Sequence, residues 1–184
     1  MRLMRISGVR PTGIERSFGA DEIIVTKTDL KGRLTYANDV FLRLSAYEEA
    51  DVLGEPHSII RHPDMPRGVF KLLWDTLASQ HELFAFVCNL AGDGAHYWVL
   101  AHVTPSYDAS DTVVGYHSNR RVPARRAISE VERLYRLMCT EERRHARAAD
   151  AASAGLALLQ EKLLQDGCTY DEWVWSLAGS ELVA

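Results

Sequence analysis

The chain has 184 residues, 47% hydrophobic and 25% charged, which is the balance of a soluble globular protein with enough apolar material for a core. No run approaches ~18 consecutive apolar residues and the N-terminal stretch has no apolar segment, which excludes a transmembrane helix and a secretory signal. Cys88, Cys139 and Cys168 lie far apart, which excludes a disulfide framework or a cysteine-rich zinc site and points to the cytoplasm; a net charge of −4 argues against a nucleic-acid binder.

Residues 1–20 are interrupted by Gly8, Pro11, Gly13 and Gly19 and read as an extended arm or short cap. Ile23–Thr28 is β-branched, Asp29–Gly32 is turn chemistry, and Arg33–Ala37 is a second strand, so the pair reads as a hairpin. Asn38-Asp39 can cap a short helix carrying Phe41 and Leu44, and a second helical piece runs from Glu48 to Leu53 before Gly54. Pro56, Pro63 and Pro66 crowd the next window, so only single turns and loop are expected there. From Arg67 to Leu77 the apolar residues Val69, Phe70, Leu73, Trp74 and Leu77 recur at helical spacing. Three strands follow: Leu83–Leu90, His96–Thr104 and Val113–Arg121. Ala91–Gly94 and Asp108–Thr112 are the turns between them. Along His96–Thr104 the alternation sets His96, Trp98, Leu100 and His102 on one face and Tyr97, Val99, Ala101 and Val103 on the other. The order β-β-α-α-α-β-β-β predicts an α+β domain over residues 21–122, with one antiparallel sheet and short helices on one face.

Pro123 opens a helical extension, residues 123–184. Residues 125–147 carry an apolar stripe of Ile128, Val131, Leu134, Tyr135 and Met138, Ala146–Leu164 is a second helix, and a short piece near Thr169 carries Trp173 and Trp175. Residues 119–147 hold 9 Arg against 4 Glu, whereas residues 148–184 hold 1 Lys against 6 acids. That opposition predicts a helical hairpin held by charge, and the stripe predicts a homodimer through these flanking helices.

Asn38-Asp39-Val40-Phe41, Ser45-Ala46-Tyr47, the RHPDMP run Arg61–Pro66, Phe70 and Trp74, and His96-Tyr97-Trp98 together resemble a PAS domain, and in particular the PAS sensor of bacterial aerotaxis receptors. The resemblance covers roughly residues 20–140. It implies a PAS fold with a five-stranded antiparallel sheet enclosing non-covalently bound FAD, whose redox state is the signal for aerotaxis-like signal transduction. It places the flavin-associated positions on Asn38, His57, Arg61, His62, Asp64, Phe70, Trp74 and Asn89. The chain departs from the family at His81–Phe84 and at Leu90-Ala91, which replaces a basic run.

The residue chemistry is compatible with that implication. Arg61 offers a planar cation for a reduced flavin or a diphosphate. His62 changes charge near neutral pH, and Asp64 can hold Arg61 or His62 in place, so these three are expected to form a polar wall. Asn38 and Asn89 offer amide groups to a ring edge, and Phe70 or Trp74 a packing face. Plainer readings stand beside these: Asn38 and Asp64 as helix caps, Phe70 and Trp74 as core, His57 as a loop histidine. Haem held by His62 or His81, or a cofactor-free interaction module, are the alternatives. A light-driven cysteine adduct is not expected, because His57–Pro66 has no cysteine. No motif of a hydrolase, nucleotide-binding loop or zinc protease occurs, so the chain reads as a non-enzymatic module signalling to a downstream protein that its sequence does not name.

Overall fold

A computed structural model describes residues 8–179. The β1 (Ile24–Thr28) and β2 (Leu34–Ala37) strands form the expected hairpin. Its turn is fastened by the Asp29 carboxylate, which accepts from the backbone N–H of Lys31 and of Arg33 at 2.8 and 2.9 Å. Two short helices, α1 (Asp39–Ser45) and α2 (Glu49–Val52), and a single 3-10 turn, His57–Ile60, lead to α3 (Arg67–Ala78). The remaining strands are β3 (Leu83–Leu90), β4 (His96–Tyr107) and β5 (Val113–Arg121), and the antiparallel sheet has the order β2-β1-β5-β4-β3. β4 runs three residues further than its sequence suggests, through Pro105. The β3 pairing has already ended at Val103, so the proline lies where β4 has a free flank.

The alternation along β4 divides the core in two. On the inner face, Tyr97, Val99 and Ala101 pack with Ile24, Phe41, Leu44, Val52 and Ile60. On the outer face, Trp98 and Leu100 join Phe86 and Cys88. The helical extension covers that outer face: α4 (Arg125–Glu142), α5 (Ala148–Gln165) and α6 (Tyr170–Ala178) pack there. The short helices keep to one face, as the element order predicts, and the extension closes the other.

The apolar stripe of α4 is therefore consumed within the chain. Ile128, Val131, Tyr135 and Met138 are buried, and the Tyr135 hydroxyl donates to the carbonyl of Phe86 at 2.8 Å. Contacts within the chain account for the burial of that stripe. The expected helical hairpin forms, but charge does not hold it. Those arginines of the basic block that form ion pairs do so locally, Arg133 with Glu130, Arg136 with Glu132, Arg144 with Glu141, or with the arm, Arg125 with Glu15. Packing of small residues holds α5 against α3 instead. A β-carbon on Gly68 would stand 2.5 Å from the backbone nitrogen of Leu156, so the two helices cross at contact distance. α4 ends at Glu142, five residues short of the expected limit, and the buried Glu142 carboxylate explains what that end does: it accepts from the N–H groups of Arg67 and Gly68, both at 2.8 Å, and caps α3. The plainer reading of Asp64 as that cap does not hold, since its side chain is 87% exposed. Trp173 and Trp175 of α6 sit against Phe86 and Phe84 of β3.

The described part of the arm, from Gly8, lies along the start of β4: Thr12 and Arg16 donate backbone bonds to Gly94 and His96, and His96 donates to Ile14. Among the described residues no helix is long and apolar enough to cross a membrane.

Candidate functional site

Between the inner face of the sheet and the segment from the 3-10 turn to α3 lies a cavity of about 160 Å³. Leu73, Phe70, Val87, Ala101 and Val103 give it apolar walls, and Trp74 stands at its rim, 43% exposed and edge-on to Tyr116. Trp74 lies directly on Gly32, whose φ of +73° and lack of a side chain both suit that approach; a β-carbon there would meet the indole at 3.1 Å.

Five of the eight expected residues line this cavity: His57, Arg61, Phe70, Trp74 and Asn89. Arg61 is held in three ways. Its backbone pairs with Asn89 of β3, its guanidinium donates to the carbonyl of Met65 at 3.1 Å, and the same group lies 4.0 Å over the Phe70 ring. Burial, and then the like charge of Arg67, hold its pKa below the usual arginine value.

The other three expected residues are placed differently. Asn38 caps α1 by accepting from Phe41 N–H at 3.1 Å, and it ties that helix to the segment leading into β1 through Val25 N–H and Ile23 O. Every hydrogen bond that its side chain makes goes to backbone. His62 and Asp64 turn away from the cavity toward a separate cleft, where His62 packs edge-on against His96 with ring centres 5.8 Å apart. His62 Nδ1 accepts from Asp64 N–H at 3.2 Å, and burial lowers its pKa despite the neighbouring carboxylate. The expected wall of Arg61, His62 and Asp64 is not assembled, because the chain turns at Pro63 and Pro66 and puts the three side chains on two sides of the loop.

The polar wall comes from β5 instead. Ser118 and Arg120 face inward on this central strand, beside Thr26 of β1. Arg120 is 4% exposed and forms no ion pair among the described residues. Its Nη2 donates to Thr26 Oγ1 at 2.9 Å and to His57 Nε2 at 2.6 Å, which fixes His57 as the acceptor. Burial lowers the Arg120 pKa to about 10. Burial, followed by the Arg120 charge, pushes the His57 imidazole down to about 3, so His57 is neutral throughout the physiological range. Arg120 Nη1, Asn89 Nδ2 and Ser118 Oγ are buried without a partner, and all three belong to residues lining the cavity. The sequence of β5 has no apolar alternation to mark Ser118 and Arg120; the strand's period of two, counted from Tyr116 in the structure, places them inward.

Buried polar groups are costly when unpaired, and a buried cation without an anion costs several kcal/mol. A ligand that fits this slot is flat enough to lie between apolar walls and presents acceptor atoms at one edge to Arg120, Asn89 and Ser118. The ring system of a flavin has that shape and that polar edge.

A PAS fold model matches residues 22–118, which takes in β1 to β4, most of β5 and all of the cavity lining except Arg120. The chain belongs to the PAS-fold family. This PAS chain is 36% identical over 118 residues to the aerotaxis receptor of Escherichia coli (strain K12), a match covering 64% of the chain and 23% of the receptor. It is 26% identical over 99 residues to the nitrogen fixation regulatory protein of Klebsiella pneumoniae, covering 54% and 20% of the two. The chain thus spans less than a quarter of the length of either relative. Among solved structures, the PAS domain of a Colwellia psychrerythraea protein matches with a TM-score of 0.50 at 20% identity, covering 54% of this chain and 85% of that one. A light-oxygen-voltage domain matches at 0.52 and 18%, covering 60% and 84%.

Proposed function

We propose that this PAS chain is a sensory module that binds FAD non-covalently and reports redox state or oxygen to a downstream signalling protein in the cytoplasm. The observation that carries the reading is the unpaired, buried Arg120, converging with Asn89 and Ser118 on a cavity walled by Phe70 and Val87. The similarity to the aerotaxis receptor supports it. The flavin supplies electron-transfer chemistry when bound. The chain supplies a fixed guanidinium at the polar edge, which favours the reduced, more negative ring, and a neutral His57 that holds the guanidinium without adding charge. Haem fits less well: His81 is exposed on the loop before β3, His62 faces the other cleft, and His57 Nε2 is engaged with Arg120. A role without enzymatic turnover is part of this reading, and the lining supports it by offering amide, hydroxyl and guanidinium groups and a neutral histidine but no carboxylate to serve as a base.

The test is reconstitution with FAD, gel filtration, then anaerobic reduction and readmission of air. The reading expects one flavin per chain, retained through filtration, reduced and reoxidised reversibly, without sustained NADH or NADPH consumption. A colourless protein after filtration contradicts it.

A further inference from the structure

The 160 Å³ cavity is too small for a whole dinucleotide, so the rest of the cofactor has to leave it. Ser58 and Arg61 line the cavity and also a larger groove of about 670 Å³ between the loop before α3 and the turn joining α4 to α5. Resting on the flavin reading above, we infer that this groove is the diphosphate subsite of the cofactor, with Arg61 and Arg67 from the PAS body and Arg143 from the helical tail as its cations.

The charge distribution carries the inference. Among the described arginines in and around α4, Arg125, Arg133, Arg136, Arg144 and Arg147 each have a carboxylate partner, while Arg126 and Arg143 have none, and of these two only Arg143 lines the groove. Arg61, Arg67 and Arg143 form no ion pair among the described residues, and all three line the groove. The carboxylate in the lining, Glu142, gives both oxygens to the first amides of α3. The result is a local excess of cationic donors, and a diphosphate is the anionic group that matches it in charge and geometry. Arg61 is the hinge of the arrangement, with its ring-stacked guanidinium at the boundary of both spaces. A cofactor lying this way touches the PAS body and the tail at once, which gives the tail a direct connection to the occupied site.

Titration of riboflavin and of FAD into the full chain, for wild type, Arg67→Gln and Arg143→Gln, separates the two readings. Both substituted residues are exposed, so the fold is not at stake. The expected result is FAD binding about 100-fold tighter than riboflavin, each substitution weakening FAD by about 10-fold while riboflavin is unchanged. Riboflavin binding as tightly as FAD, or FAD affinity unmoved by both substitutions, overturns the groove assignment and leaves the ring site standing. Failure of either flavin to bind overturns the cofactor reading, and this inference with it.

Discussion

On the outer face of the sheet the buried polar groups are few and largely paired: Tyr135 bonds to Phe86, Trp98, Leu100, Val131 and Met138 close an apolar layer, and the Tyr170 hydroxyl is the one without a partner among the described residues. On the inner face, a few ångströms of strand away, Arg120, Asn89 and Ser118 keep buried polar atoms with nothing to bond. The same strands feed both faces through simple alternation. The difference shows where the chain spends its chemistry on folding and where it holds chemistry back for a ligand: satisfied groups stabilise, and unsatisfied buried groups mark a site whose cost a ligand offsets.

The largest expected effect breaks the outer side alone. Met138 is fully buried between α4 and its neighbours, so Met138→Ala should cost about 3 kcal/mol, the usual range for a core truncation. Urea unfolding measures it, and flavin stoichiometry should stay at the wild-type value. Loss of flavin with little loss of stability would mean that the two faces are not separable in this way.

A smaller effect sharpens the inner side. The folded-state pKa of His57 is about 3, below the value of about 6.5 for a free imidazole, so between these limits the unfolded chain binds the extra proton and the folded one does not. Stability from this group is complete above pH ~6.5 and falls as the pH drops toward ~3, at up to about 1.4 kcal/mol per pH unit. Comparison of urea midpoints for wild type and His57→Gln from neutral to acid isolates it from the carboxylates. Glutamine still accepts from Arg120 but does not titrate, so the acid slope of the variant should be shallower; equal slopes would place His57 in water.

Much of this arrangement is legible in the sequence, and the parts that are not have a common cause. β4 alternates strictly and α3 keeps helical spacing, so both cores and the residues Phe70 and Trp74 can be placed from local pattern. Asn89 and Arg61 are reached only through the resemblance to aerotaxis PAS sensors, because no local period shows that the loop residue and the strand residue pair. His62 and Asp64 do not, since Pro63 and Pro66 remove any period from which a direction can be read. Arg120 is hidden differently: β5 reads Tyr-His-Ser-Asn-Arg-Arg from Tyr116, with no apolar alternation to show that one of two adjacent arginines points inward. The Glu142 cap on α3 spans 74 residues and leaves no local trace.

The central claim is that the buried Arg120 serves the ligand and not the fold, and thermal unfolding of wild type and Arg120→Met, each with and without FAD, tests it most directly. Methionine fills a similar volume without a charge, so the unliganded variant should unfold at or above the temperature of the unliganded wild type. FAD should raise the transition of the wild type and leave that of the variant unmoved. A variant that is markedly less stable without ligand yet still gains the wild-type shift from FAD would contradict the account.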